Sequence, residues 1–193
     1  MAVKLNLEMR HGRPRRECSD CQLCCKLLPM HVPTIDKRAG ERCPHQRANV
    51  GCNIYPSRPM CCQVWNCRWL VNDDTADLRR PDRSRYVIDV MPDIVRLVPN
   101  DGSKPMEVQV VQVWVDPKYR DAHKDPALRA YLERRAEKDG MAAIIRFNEG
   151  EALILFAPHL TGGDWREHYM AAPTPGFKGL HARMVERIAE KLK

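Results

Sequence analysis

A chain of 193 residues, 44% apolar and 30% charged, has the balance of a water-facing globular protein, with room for one sizeable domain or two small ones. Nothing in it approaches the roughly 20 consecutive apolar residues of a membrane-spanning helix, and MAVKLNLEMRHGRPRREC at its start has no apolar run of the secretory kind, so no membrane association and a cytoplasmic location are expected. All of the formal net charge of +7 falls in residues 1–70, which hold 12 Lys/Arg against 5 Asp/Glu, while residues 71–193 hold 20 of each.

Residues 1–17 are basic, contain Gly12 and Pro14, and read as a loosely docked arm. Residues 18–70 contain all nine cysteines, with little apolar sequence between them. Such a segment has too little core to fold alone and is expected to need a metal. Residues 71–85 (VNDDTADLRRPDRSR) read as a polar connector. Beyond them, 86–91 and 94–98 are short β-branched runs around Pro92 and Asp93, which predicts a hairpin. Residues 107–115 (EVQVVQVWV) predict a long strand ended by Asp116 and Pro117. Asp125 caps a predicted helix that begins on Pro126, runs to about Lys138 and closes at Gly140. Residues 142–147 and 152–156 predict a second hairpin around Asn148-Glu149-Gly150. Residues 177–193 predict an amphipathic helix with Leu180, Met184, Ile188 and Leu192 on one stripe. The fold class expected is α+β: a small metal-stapled cysteine-rich N-terminal module over 18–70, then an antiparallel sheet with helices over 86–193.

The cysteines carry the chemistry. Reducing conditions disfavour disulfides, and an odd count leaves one thiol outside any complete pairing. Their order is Cys18-x2-Cys21-x2-Cys24-Cys25, then Cys43 and Cys52, then Cys61, Cys62 and Cys67. Two residues between cysteines let both thiolates reach one metal while backbone N–H groups point at the sulfurs. A ligating thiol is deprotonated, so two four-thiolate centres of about −2 each would bring residues 1–70 from +7 to about +3. The basic character of this segment is therefore expected to serve the cluster more than nucleic acid, with Arg10, Arg13, Arg15 and Arg16, ahead of the first ligand, as the exception.

CSDCQLCC followed by CPHQRANVGCNIYPSRPMCCQVWNC resembles the YkgJ-type CxxCxxCC cysteine-cluster family, a zinc- or iron-chelating domain. Cys18, Cys21, Cys24 and Cys25 match its first block, and Cys43, Cys52, Cys62 and Cys67 its second. Ile54, Tyr55, Arg58 and Pro59 fall on its I-Y and R-P positions. The resemblance covers about residues 18–67; RPDRS and VDP also look like segments of longer members. Gln63 stands where the family usually has Arg, Trp65 replaces Phe or Tyr, and Cys61 is supernumerary. The resemblance implies metal or iron–sulfur binding through these eight cysteines, with Tyr55 and Arg58 beside them, either donating toward the sulfurs or anchoring a turn. It supplies no reaction, although a related domain occurs in a flagellin lysine N-methylase.

Zinc and iron, a 4Fe–4S cluster included, both accept thiolates, and the spacing does not choose between them. The leading functional reading is a metal-binding protein. An iron–sulfur-dependent oxidoreductase or transferase, and a zinc-stapled module that binds nucleic acid or protein, are the alternatives. His45, two residues after Cys43, reads as a surface residue or a neighbour of the ligands. His159, Asp164 and His168 form no motif and read as loop residues, and Trp114 as core.

Overall fold

Prolines and cysteines interrupt every apolar run in the first seventy residues, and the elements there are short. The computed structural model describes residues 16–90, 92–98 and 102–170. Its first elements are α1 (Leu23–Leu27), a hairpin of β1 (Met30–Val32) and β2 (Ile35–Lys37), a smaller hairpin of β3 (Gln46–Arg47) and β4 (Gly51–Cys52), then α2 (Met60–Val64) and α3 (Arg68–Val71). The segment expected as a connector has structure of its own. A 3-10 turn at Asp73–Thr75 buries Thr75, Leu78 enters the core, and α4 (Pro81–Ser84) begins on Pro81. Arg85 ends that helix with a left-handed φ of 68°.

The sheet departs from expectation at its first two strands. β5 (Tyr86–Ile88) and β6 (Asp93–Leu97) do not form a hairpin. Both run antiparallel along one side of β7 (Met106–Val115), with Tyr86 opposite Val115 and Leu97 opposite Met106. They act as one strand broken over 89–92, where Pro92 has no N–H to give a ladder. From β7 the chain passes through a 3-10 segment, Pro117–Lys124, into α5 (Pro126–Asp139). Asp125 Oδ1 accepts from Ala127 N at 3.0 Å, and Gly140 closes the helix at φ 65°, so both predicted ends hold. α5 returns the chain to β8 (Ala142–Arg146), which lies parallel to β7, because a crossover through a helix brings the next strand back in the same direction. β9 (Ala152–Phe156), α6 (Pro158–Thr161) and β10 (Arg166–Met170) follow, and β8–β9 and β9–β10 pair antiparallel. The α+β class stands, with one parallel junction inside an otherwise antiparallel sheet. The helix predicted over 177–193 lies outside the described residues. Among these residues, no helix is long and apolar enough to cross a membrane.

Alternation along β7 sends Val111, Val113 and Val115 to the face covered by Leu128, Tyr131 and Leu132 of α5. Trp114 faces the other way and, with Val87, receives Leu23 and Leu27 of α1 and Cys67. Burial of Leu23 and Leu27 contributes roughly 1.5–3 kcal/mol each. Farther along this second face, Val110 packs with Val95, Ile144 and Ile154. Between the two apolar patches, Arg146 Nε donates to Gln112 Oε1 at 3.0 Å and its Nη2 to Asp93 Oδ2 at 3.1 Å. The cysteine-rich segment thus uses one end of the sheet as its floor.

Candidate metal centre

The first C-x2-C turn is tight. Ser19 takes a left-handed φ of 46°, which lets Cys21 N donate to Cys18 O at 2.7 Å. Arg80 holds this turn against α4: its Nη1 meets Asp20 Oδ1 at 2.8 Å and its Nε meets Asp82 Oδ1 at 2.7 Å. The backbone N–H groups of Leu23 and Asp82 act against the burial of the Cys21 thiol, and those of Leu70 and Trp69 against that of Cys67.

The thiols come together in two overlapping groups. Cys18, Cys21, Cys24 and Cys67 act on one another electrostatically, with Cys25 at their margin. Cys25, Cys43, Cys61 and Cys62 form the second group, and Cys43 N donates to Cys25 O at 3.3 Å. Cys62 Sγ also lies 3.9 Å from Met30 Sδ. Cys52 stands apart in β4, opposite Gln46. It is tied to the first turn through Gln22, whose amide donates to Arg47 O and, at 3.1 Å, to Gly51 O. All nine cysteines are free thiols. Among the described residues, no group of three or more His, Cys, Asp or Glu side chains is placed to hold a metal ion.

Protonation follows the surroundings. Burial pushes the Cys67 thiol up to about 12, aided by the charges of Cys18 and Cys21. Burial also raises Cys62 to about 12, with Cys61 adding to it. Cys18 and Cys21 are raised mainly by burial. Cys24 keeps its proton by donating it to Cys25, and that hydrogen bond, with Lys37 and Arg58 nearby, brings Cys25 down to about 7. Cys25 is the sulfur readiest to ionise, and a thiolate is what a metal binds.

Tyr55 and Arg58 lie together ahead of α2. The Arg58 guanidinium lies 3.7 Å from the Tyr55 ring centroid, and Pro59 O receives Cys62 N at 2.9 Å to start α2. The charge of Arg58 acts on Cys18 and Cys25, while its buried Nε has no hydrogen-bond acceptor among the described residues. An orphaned cationic donor beside gathered thiols fits a negatively charged thiolate centre. The donor set as a whole, soft sulfurs with N–H groups and cations around them, fits zinc or iron. Arg16, the described member of the basic arm's four arginines, is engaged by protein: its Nη1 donates to Trp69 O, to Asn72 O at 3.2 Å and to Thr75 Oγ1 at 3.0 Å.

Two cations escaped the sequence reading. Lys37 Nζ is enclosed by the carbonyls of Lys26, Leu28, Arg38 and Glu41 and lies close enough to Cys25 and Cys43 to feel their charge. Lys26 Nζ meets Asp116 Oδ2 at 2.6 Å, tying α1 to the end of β7. Neither belongs to a motif. His159 starts the turn of α6 and His168 lies in β10, with its ring edge-on to Phe156; neither approaches the cysteines. Comparison with protein-family models, with characterised proteins and with solved structures finds no match to the chain.

Proposed function

We propose that this protein binds metal on thiolates, holding zinc or iron, an iron–sulfur cluster included, through Cys18, Cys21, Cys24, Cys25, Cys43, Cys52, Cys62 and Cys67. The observation that carries the reading is that free thiols from separate stretches of chain lie near enough to act on one another in two overlapping groups, with Arg58 and Lys37 close enough for their charge to reach Cys25. Buried hydrophobic cysteines need no such cations. The spacing shared with the CxxCxxCC pattern supports the same conclusion.

When bound, the metal supplies positive charge that replaces the thiol protons. The protein's part is to gather the sulfurs, hold them with N–H donors and offset the negative charge with Arg58 and Lys37. Two groups of thiols meeting at Cys25 are compatible with two neighbouring four-sulfur sites or with one cluster and spare ligands. The α+β sheet is the floor on which the cap rests, and no reaction is assigned to it.

The test is anaerobic purification followed by metal analysis, absorption spectroscopy and thiol counting with a chromophoric reagent. Stoichiometric zinc without colour, or iron with charge-transfer absorption, is expected, together with thiols that react only after chelation. Metal-free protein with native stability and freely reactive thiols would overturn the proposal.

A further inference from the structure

The register that sets Tyr86 opposite Val115 also brings the residues before β5 alongside those after β7, and Asp116 N donates to Arg85 O at 2.9 Å. Arg79 and 83–85 on one side and residues 118–122 and 124–126 on the other line one open cleft of about 610 Å³, a volume within the range of small-molecule sites. Its walls carry Arg79, Arg83, Arg85, Lys118, Arg120 and Lys124 against only two carboxylates, an excess of four positive charges. Residues 71–193 are neutral in total, so the charge is segregated here.

Both carboxylates are already engaged. Asp125 caps α5 with Oδ1, and its Oδ2 accepts from Tyr86 Oη at 3.2 Å and from Arg79 at 3.4 Å. Asp121 holds Lys124 at 2.8 Å, and Arg120 is paired outside the cleft with Glu151. Arg83, Arg85 and Lys118 are exposed, and among the described residues none of them has a carboxylate within salt-bridge distance, although the charge of Arg83 reaches Asp20. The Arg85 guanidinium is 4.6 Å from the centroid of the exposed Tyr119 ring. Stacking of that kind fixes the guanidinium plane and leaves its N–H edge for an anion. Like charges held in a concavity repel one another unless an anion joins them.

We propose that this cleft is a binding site for a phosphorylated ligand of nucleotide size, with its phosphates on Arg83, Arg85 and Lys118 and the ring of Tyr119 offered to a base. The site is separate from the cysteine cap and does not depend on the metal reading. A free nucleotide and a stretch of single-stranded nucleic acid present the same chemistry, and the experiment separates them.

The full chain as purified is titrated calorimetrically with inorganic pyrophosphate, with ATP and with a single-stranded oligonucleotide, at two salt concentrations. Saturable binding is expected, weakened at least tenfold in a variant combining Arg83→Ala, Arg85→Gln and Lys118→Ala. Replacing three exposed cations outside the cleft, Arg96, Lys104 and Lys138, with alanine should leave it unchanged. Arg83→Glu alone, at an exposed position, reads the same loss should the triple variant fold poorly. If the oligonucleotide binds more tightly than ATP, with a log–log salt slope of about −0.7 per phosphate contacted, the ligand is a strand; if ATP binds as tightly or more so, it is a free nucleotide. Absence of saturable binding by all three probes, or equal loss in the cleft and control variants, overturns the proposal.

Discussion

Lys37 keeps only 4% of its surface in solvent, and backbone oxygens take the place of water. Lys26 O at 3.2 Å, Arg38 O at 3.3 Å, Glu41 O at 3.0 Å and Leu28 O all accept from its Nζ. Burial pulls its pKa down while the sulfurs of Cys43 and Cys25 act in the opposite direction. Lys37→Met would fill the volume but strand those carbonyls, and the expected loss is about 3 kcal/mol or more, measured as a fall in the urea midpoint at unchanged slope. Cys61 and Cys62 make a sharper pair. Both lie in α2, but only Cys62 keeps the family-like spacing to Cys52 and Cys67, and the charges of Cys25 and Cys43 reach it. Metal content should survive Cys61→Ser and fall in Cys62→Ser; the reverse result would put the ligand register one residue off. The cysteines stood out in the sequence by residue type and interval. Lys37 did not, because its partners are main-chain carbonyls, which any residue possesses.

His31, in the β1–β2 hairpin, clasps two loops. Its Nδ1 meets Asp36 Oδ1 at 2.7 Å and its Nε2 meets Glu149 Oε1, in the β8–β9 turn, at 2.9 Å. The hydrogen bond to Asp36, then that to Glu149, raises its pKa above 6.5. A raised folded-state pKa means that the folded protein holds this proton more tightly, so the stabilisation is complete below about pH 6.5 and is lost as pH rises through the raised value. The side chain is well exposed and the effect is correspondingly modest. Glu149→Gln should lower the thermal midpoint at pH 5.5 and leave it nearly unchanged at pH 8.5; equal losses at both pH values would mean that the imidazolium takes no part. At this scale α5 was legible because Asp125, Pro126 and Gly140 are local signals. The pairing of β5 and β6 was not, since both found β7 rather than each other, a choice made across the sheet. β10, with REHY exposed along its length, shows neither alternation nor an apolar run, and only its pairing with β9 makes it a strand.

The described residues form a cysteine cap seated on one end of a sheet, with Leu23, Leu27 and Cys67 against Val87 and Trp114. If metal holds the cap together, chelation under reducing conditions should uncover Trp114 while α5 keeps its packing. A red shift of tryptophan emission, with most of the far-ultraviolet dichroism retained, is the expected outcome. An unaltered emission spectrum after complete metal loss would show that the cap folds unaided. The α+β class was visible in the order of apolar runs. The interface between cap and sheet was not, because Lys26 and Asp116 meet across 90 residues of chain. The break between β5 and β6 has a further consequence. Cys67 forms an isolated bridge with Asp89 at the start of that break, Trp65 Nε1 donates to Asp89 Oδ2 at 3.1 Å, and Asp89 N donates to Gln112 O at 2.9 Å in β7. Cys67, a ligand in the proposed reading, is thereby coupled through one aspartate to the middle of the longest strand. Deuterium uptake at the Asp89 amide, buried and bonded to β7, should therefore slow on metal loading and report occupancy of the cap from the edge of the sheet.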